Sequence, residues 1–132
     1  LIKTISDYFD NKIVFKEQVE ENATYANKIS SEHRKINFDG NVINVFNKVR
    51  AFSSRPGAWF IFKNERIKIL KCQISIKDCT PSIIENSEFH IGCVGGLIKP
   101  MIIQREGKKP MDIGEFLKGF KFSIGQKVNV QI

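Results

Sequence analysis

The hydrophobic pattern of this chain changes from helical to strand period at Arg55-Pro56-Gly57, where proline fixes one turn position and glycine permits positive φ at the next. Before that point Val42, Ile43, Val45, Phe46 and Val49 recur at helical spacing, while Asn44, Asn47, Lys48 and Arg50 face away. After it, aromatic and β-branched residues alternate with polar ones in short runs, the period of strands. The chain therefore reads as one clear helix feeding a set of short strands. Asp39 or Asn41 can cap the helix, and Arg50 complements its negative C-terminal end.

Trp59 to Phe62 and Arg66 to Ile76 are expected strands joined by Lys63-Asn64-Glu65. Ile67 and Ile69 keep one parity, whereas Leu70, Cys72, Ile74 and Ile76 keep the other, which predicts a bulge near Ile69-Leu70. Phe89, Ile91 and Cys93 alternate with His90, Gly92 and Val94, and Gly95-Gly96 is expected to turn the chain into Leu97 to Gln104. Pro100 inside that return strand argues for an edge or a bulge. Asp112, with Glu115 three residues on, predicts a capping box for a short helix whose apolar face is Ile113, Phe116, Leu117 and Phe120 and which Gly119 can end. Lys127 to Ile132 is expected as a last strand. The expected fold is mainly β with short helices, a small OB-like β-barrel of about five or six strands.

The chain has 132 residues, enough for one domain with a real core. At 42% hydrophobic and 27% charged it is neither a disordered tail nor a membrane protein. No apolar run approaches the roughly 18 residues of a spanning helix, and the start lacks a signal-peptide layout, so a cytoplasmic location without membrane contact is expected. The first residue is not Met, and the two methionines, Met101 and Met111, lie far along the chain, which reads as a piece of something longer. Leu1, Ile5, Tyr8 and Phe9 fall at helical spacing, and Lys16 to Asn22 is polar without periodicity, as a linker would be.

Charge is unevenly placed. Residues 1–47 carry six Lys/Arg against seven Asp/Glu; residues 48–132 carry fifteen against seven. That asymmetry favours a polyanionic partner, nucleic acid ahead of a membrane surface. Cys72, Cys79 and Cys93 make no Cys-x-x-Cys pair and read as reduced thiols, two of them on apolar strand positions.

No catalytic constellation emerges. His33 sits in a charged segment with nothing of a triad around it, and His90 has no second ligand at i+2 or i+4 for a metal. Gly92, Gly95 and Gly96 lack the Gly-Lys-Ser/Thr context of a phosphate loop and read as turn residues. No catalytic or metal-ligating residue is assigned. What remains is a binding surface: Arg50, Arg55, Lys108, Lys109, Lys118 and Lys121 lie near element ends and in loops, with Arg105 and Lys99 as further members. Phe52, Trp59, Phe60 and Phe62 offer either base-stacking faces or core.

Two stretches carry a resemblance. Ala23-Thr24-Tyr25-Ala26-Asn27-Lys28-Ile29-Ser30-Ser31-Glu32 to Ile36-Asn37-Phe38, followed by Val49-Arg50-Ala51-Phe52-Ser53-Ser54-Arg55-Pro56-Gly57-Ala58-Trp59, resembles the linker and the start of the C-terminal domain in methionyl-tRNA formyltransferases. Gln104-Arg105-Glu106-Gly107-Lys108-Lys109-Pro110-Met111, with Glu115-Phe116-Leu117-Lys118-Gly119, resembles that family's closing signature. The resemblance implies that residues 1–22 are the end of a catalytic domain plus linker, and residues 23–132 a tRNA-binding barrel. It implies a full enzyme that uses 10-formyltetrahydrofolate to formylate methionyl-initiator tRNA, with no cofactor bound by this portion. The family's catalytic Asn, His and Asp and its His-x-Ser-Leu-Leu-Pro segment have no counterpart here. The chain departs from the pattern between Lys77 and Phe89, which is shortened, and at Ser53-Ser54-Arg55. By position the resemblance implies tRNA contacts from Lys28, Arg34, Lys35, Lys108 and Lys109, beside Arg50, Arg55 and Arg105 from the charge pattern; Lys108 and Lys109 can instead pack the final helix. A monomer is expected. Related barrels that grip no tRNA, in formyltetrahydrofolate hydrolases and sugar-nucleotide formyltransferases, remain an alternative, as does a free-standing RNA-binding module.

Overall fold

A computed structural model describes residues 2–129. Helix α1 (Ile2–Phe9) and a polar segment with one 3-10 turn (Glu20–Asn22) lead to a second 3-10 turn (Glu32–Arg34) and helix α2 (Val42–Phe52). Strands β1 (Ala58–Phe62), β2 (Glu65–Ser75), β3 (Ile91–Cys93), β4 (Gly96–Arg105) and β5 (Met111–Asp112) follow, and α3 (Ile113–Gly119) comes last. Among the described residues the fold is mainly antiparallel β with short helices.

The α2 stripe buries as its spacing predicts: Val42, Val45 and Val49 are inside and Phe46 is half-buried, while Ile43 stays exposed. Of the two candidate caps it is Asn41 that acts, its Oδ1 accepting from the Ile43 N–H at 2.8 Å. The sheet runs β1-β2-β4-β3, with β5 beside β3 on the same edge of β4. Its β1–β2 hairpin is tighter than expected. Phe62 pairs with Glu65, so only Lys63 and Asn64 form the loop, both at positive φ (50° and 61°), which matches the right-handed twist of the strands. The bulge sits where the parity slip places it, with register shifts around Lys71 that leave Leu70 unpaired and set Cys72 opposite Pro100. Pro100 thus lies at the irregularity, and its missing N–H falls between the parts of β4 that pair with β3 and β5.

Four expectations are corrected. The β3–β4 turn is Val94-Gly95, since Cys93 pairs with Gly96; Gly95 takes φ +79° and Gly96 begins the strand. Asp112 occupies the N-cap of α3 but makes no side-chain cap, and Glu115 accepts from the Lys118 ammonium at 2.6 Å. The last strand reduces to one bridge, Ile83 with Lys127, and Val130 to Ile132 lie outside the described residues. The barrel's ladder is also open. Segments 82–84 and 125–129 span the gap between β3 and β1, but Ser82, Gly125 and Asn129 all have positive φ, which breaks any extended run. Short sets of bonds bridge instead: Val128 N–H to Ser82 C=O (2.9 Å), Ile84 N–H to Gln126 C=O (2.9 Å) and Gly125 N–H to Ile84 C=O (2.8 Å) join the two segments, and Asn129 N–H to Ile61 C=O (2.7 Å) with Ile61 N–H to Asn129 Oδ1 (3.1 Å) reaches β1.

The core is aromatic at one end. Phe89 packs against Phe60, Phe62, Phe116 and Phe122 with ring centroids 4.9 to 6.4 Å apart, and Phe38 meets Phe60 edge-on at 5.3 Å. Phe60 and Phe62, two of the candidate stacking rings, are therefore core. Helix α1 buries none of its residues; Ile2 and Phe9 are 85% and 76% exposed. No helix among the described residues is long and apolar enough to cross a membrane.

Candidate nucleic-acid interface

In β2, Ile67 and Ile69 point inward and are fully buried, so Arg66 and Lys68 stand on the outer face, each half-buried. Register then decides their company. Lys68 lies opposite Trp59 on one side and Gln104 on the other, a row across three strands. Arg66 is the diagonal neighbour of Trp59, and its guanidinium carbon sits 4.1 Å from the centre of the indole ring. The Lys35 ammonium approaches the same ring at 5.7 Å.

Trp59 also holds the preceding segment in place. Its Nε1–H donates to the Ser31 carbonyl at 3.0 Å, and its own carbonyl accepts from the Ile36 N–H at 2.7 Å. Arg34 donates to the Gly57 carbonyl at 3.4 Å. With only 3% of Trp59 exposed, the ring is a floor beneath the cations and not a platform for a base. Beside it lies an open groove of about 190 Å³, lined by Arg66, Lys68, Gln104, Arg105, Glu106 and Gly107.

Seven of the eight residues expected to contact tRNA separate into three groups. Arg34 and Lys35, half-buried, join Arg66 and Lys68 around Trp59. Lys108 and Lys109 are exposed in the loop after β4, which is pinned by the Gln104 amide donating to the Lys108 carbonyl at 2.8 Å. Lys28, Arg50 and Arg55 are exposed on other segments, Arg50 hydrogen-bonded to Asn47 (3.4 Å) and lying over Phe46.

Arg105 is already committed. Its Nε and Nη2 each donate to Glu65 at 2.8 Å, its carbon lies 4.9 Å from the centre of the Phe120 ring, and the Glu65 bond raises its pKa. It anchors the start of β2 to the end of β4, and its charge is largely matched by Glu65. Arg66 and Lys68 were not singled out from the sequence. The signal was their alternation with Ile67 and Ile69, which puts two cations on one face.

No group of His, Cys, Asp and Glu among the described residues has the arrangement of a metal site. Burial pushes the Cys72 thiol up to about 11 and the Cys93 thiol up to about 12, which leaves both as unreactive neutral groups at pH 7. His90 is held neutral. Asn86 Nδ2 donates to its Nδ1 at 2.8 Å, Glu88 lies 3.3 Å from its Nε2, and burial lowers its pKa against the raising effect of Glu88 and with help from Lys99 and Lys77. The unfolded chain takes up a proton near pH 6.5 that folded His90 resists, so stability is expected to fall as pH drops below about 6.5. Thermal melts at pH 7.5 and pH 5 should show a larger loss for the parent chain than for His90→Gln; equal losses would remove His90 from the account.

Comparison with known proteins gives a consistent family. The model of the formyl transferase C-terminal domain matches residues 28–121. The methionyl-tRNA formyltransferases of Pelagibacter ubique (strain HTCC1062) and Rickettsia bellii (strain RML369-C) are each 36% identical to this chain over 97% of its length. The chain spans 42% of the length of each of these relatives. Among solved structures, HypX from Aquifex aeolicus in complex with tetrahydrofolic acid shares the fold, with a TM-score of 0.61 at 17% identity over 95% of this chain and 25% of that one. With most of its length under one family model, this chain belongs to the formyl transferase C-terminal domain family.

Proposed function

We propose that this chain is the tRNA-gripping portion of a methionyl-tRNA formyltransferase. In this reading residues 23–132 hold methionyl-initiator tRNA, and residues 1–22 are the end of the catalytic domain and the linker. The observation that carries it is the gathering of Arg34, Lys35, Arg66 and Lys68 around the Trp59 floor, with Lys108 and Lys109 in the adjoining loop. Half-buried cations on a sheet face, with no exposed stacking ring beside them, suit phosphate-backbone and shape contacts better than base readout. The names of the relatives supply the substrate class.

The formyl donor, 10-formyltetrahydrofolate, would supply the one-carbon group elsewhere in the protein. The basic groove does not fit it: it is open, lined by charged and amide side chains, and has no slot for a flat pterin ring. No step is therefore routed through the donor by these residues. The test is a side-by-side binding measurement of the 132-residue chain with initiator tRNA and with a sugar nucleotide at about 50 mM salt, where phosphate contacts are strongest. Binding of tRNA alone is expected. Binding of the sugar nucleotide alone, or of neither, would reject the proposal.

A further inference from the structure

We propose that the groove between β2 and the loop after β4 is a dedicated phosphate site, with Arg66 and Lys68 as its ligands, that seats one phosphodiester of the RNA backbone. The inference deepens the tRNA-binding reading and rests on it for the source of the phosphate.

The first argument is charge. Arg66 and Lys68 are two residues apart on one face of β2, so their Cα atoms stand roughly 7 Å apart. Among the described residues neither has a carboxylate within ion-pair distance: Glu65 is taken by Arg105, and Glu106, which also lines the groove, is exposed and pairs with neither cation. Two neighbouring cations without a counter-charge repel, and an anion between them removes that cost.

The second argument is preorganisation. Arg66 lies over an indole that is itself fixed by Ser31 and Ile36, its guanidinium carbon 4.1 Å from the ring centre, and its N–H groups have no carboxylate partner among the described residues. The Lys68 stem lies close to Gly57, where an added Cβ would come within 3.0 Å of Lys68 Cδ. Arg66 is thus restrained on its indole before anything binds, which lowers the entropy cost of binding. Across the groove, the Gln104 amide fixes Lys108 at the end of the loop. At about 190 Å³ the groove exceeds by an order of magnitude the space one water needs, about 10–15 Å³, so it admits a phosphate group. Arg105 lines the groove too, but its pairing with Glu65 leaves it little net charge to add.

The test uses the 132-residue chain and inorganic phosphate. Trp59 is the single tryptophan, and Arg66 touches it, so its fluorescence reports occupancy. Sodium phosphate is titrated against sodium chloride at equal ionic strength, with Lys68→Gln as the test variant. Lys77→Gln, beyond the far end of β2, is the control, and thermal melts check that both variants fold. A saturable fluorescence change is expected, weakened at least about fivefold in Lys68→Gln and unchanged in Lys77→Gln. In a second arm, the slope of log tRNA affinity against log salt should fall by about 1 in Lys68→Gln and stay unchanged in Lys77→Gln. No response beyond chloride, or an equal response in Lys68→Gln, overturns the site even if tRNA still binds. Phosphate saturation with an unchanged tRNA slope overturns RNA as the source. Absent tRNA binding with intact phosphate saturation refutes the tRNA reading and leaves the groove as a phosphate site.

Discussion

Replacing Gly92 with alanine is expected to cost a large share of this domain's stability. A Cβ built on Gly92 would lie 2.0 Å from the Thr80 carbonyl oxygen and 2.9 Å from its carbon, contacts with backbone and not with a flexible side chain. The Thr80 loop cannot simply retreat. Ser82 N–H donates to the Gly92 carbonyl at 2.9 Å, Gly92 N–H donates to the Ile83 carbonyl at 2.8 Å, and the Glu85 side chain accepts from the Thr80 N–H at 2.9 Å. Moving the loop loses bonds worth about 1 kcal/mol each; keeping it forces an overpacking cost of about 1–3 kcal/mol or more. Either route costs about 3 kcal/mol, a large share of the 5–15 kcal/mol typical of a domain. Thermal unfolding should show a drop of about 15 °C or failure to fold. Gly114→Ala, where an added Cβ meets nothing within 4 Å, should melt within a few degrees of the parent. A Gly92→Ala chain with the parent melting temperature would mean that the packing of the 80–85 loop on β3 is not as described.

Affinity for tRNA should collapse with salt. If Arg34, Lys35, Arg66, Lys68 and Lys108 each neutralise one phosphate, the counterion-release slope is about −4.5, taking the duplex coefficient of about 0.9 per contact. Raising salt from about 50 mM to about 200 mM then weakens binding about 500-fold. Filter binding or fluorescence anisotropy across that range measures the slope directly. A slope shallower than about −2 would mean that these side chains do not act together on the phosphates. Arg105 is left out of the count because Glu65 holds both of its inner donors.

Much of the fold was legible because its signals are local. The α2 stripe, the bulge at Leu70 and the small apolar face of α3 follow from periodicity, and Asn41 was one of two residues able to cap α2. The errors also have a common cause. Gly95-Gly96 reads as a turn pair, yet pairing of Cys93 with Gly96 moves the turn back by one residue and gives Gly96 a different task. There an added Cβ would meet the Ser75 carbonyl oxygen at 2.6 Å. Asp112 and Glu115 have capping-box spacing, but a lysine one turn on takes the glutamate. The described part of the last strand, Lys127 to Asn129, makes one bridge only, and Gly125 and Asn129 on either side of it take positive φ.

The candidate site divides along the same line. Alternation, net charge and the loop motif point to a basic face. They could not rank the basic residues, since rank depends on partners far away in sequence. Arg105 is matched by Glu65, 40 residues earlier, whereas Arg66 and Lys68 become ligands only through neighbours on other strands. Sequence by itself determined the element types, the apolar core and the sign of the surface, because each is set by side chains within a few residues of one another. Tertiary structure alone decided which cations are spent, which stay available, and that Trp59 is their support, because strand register sets those distances and no local pattern encodes it.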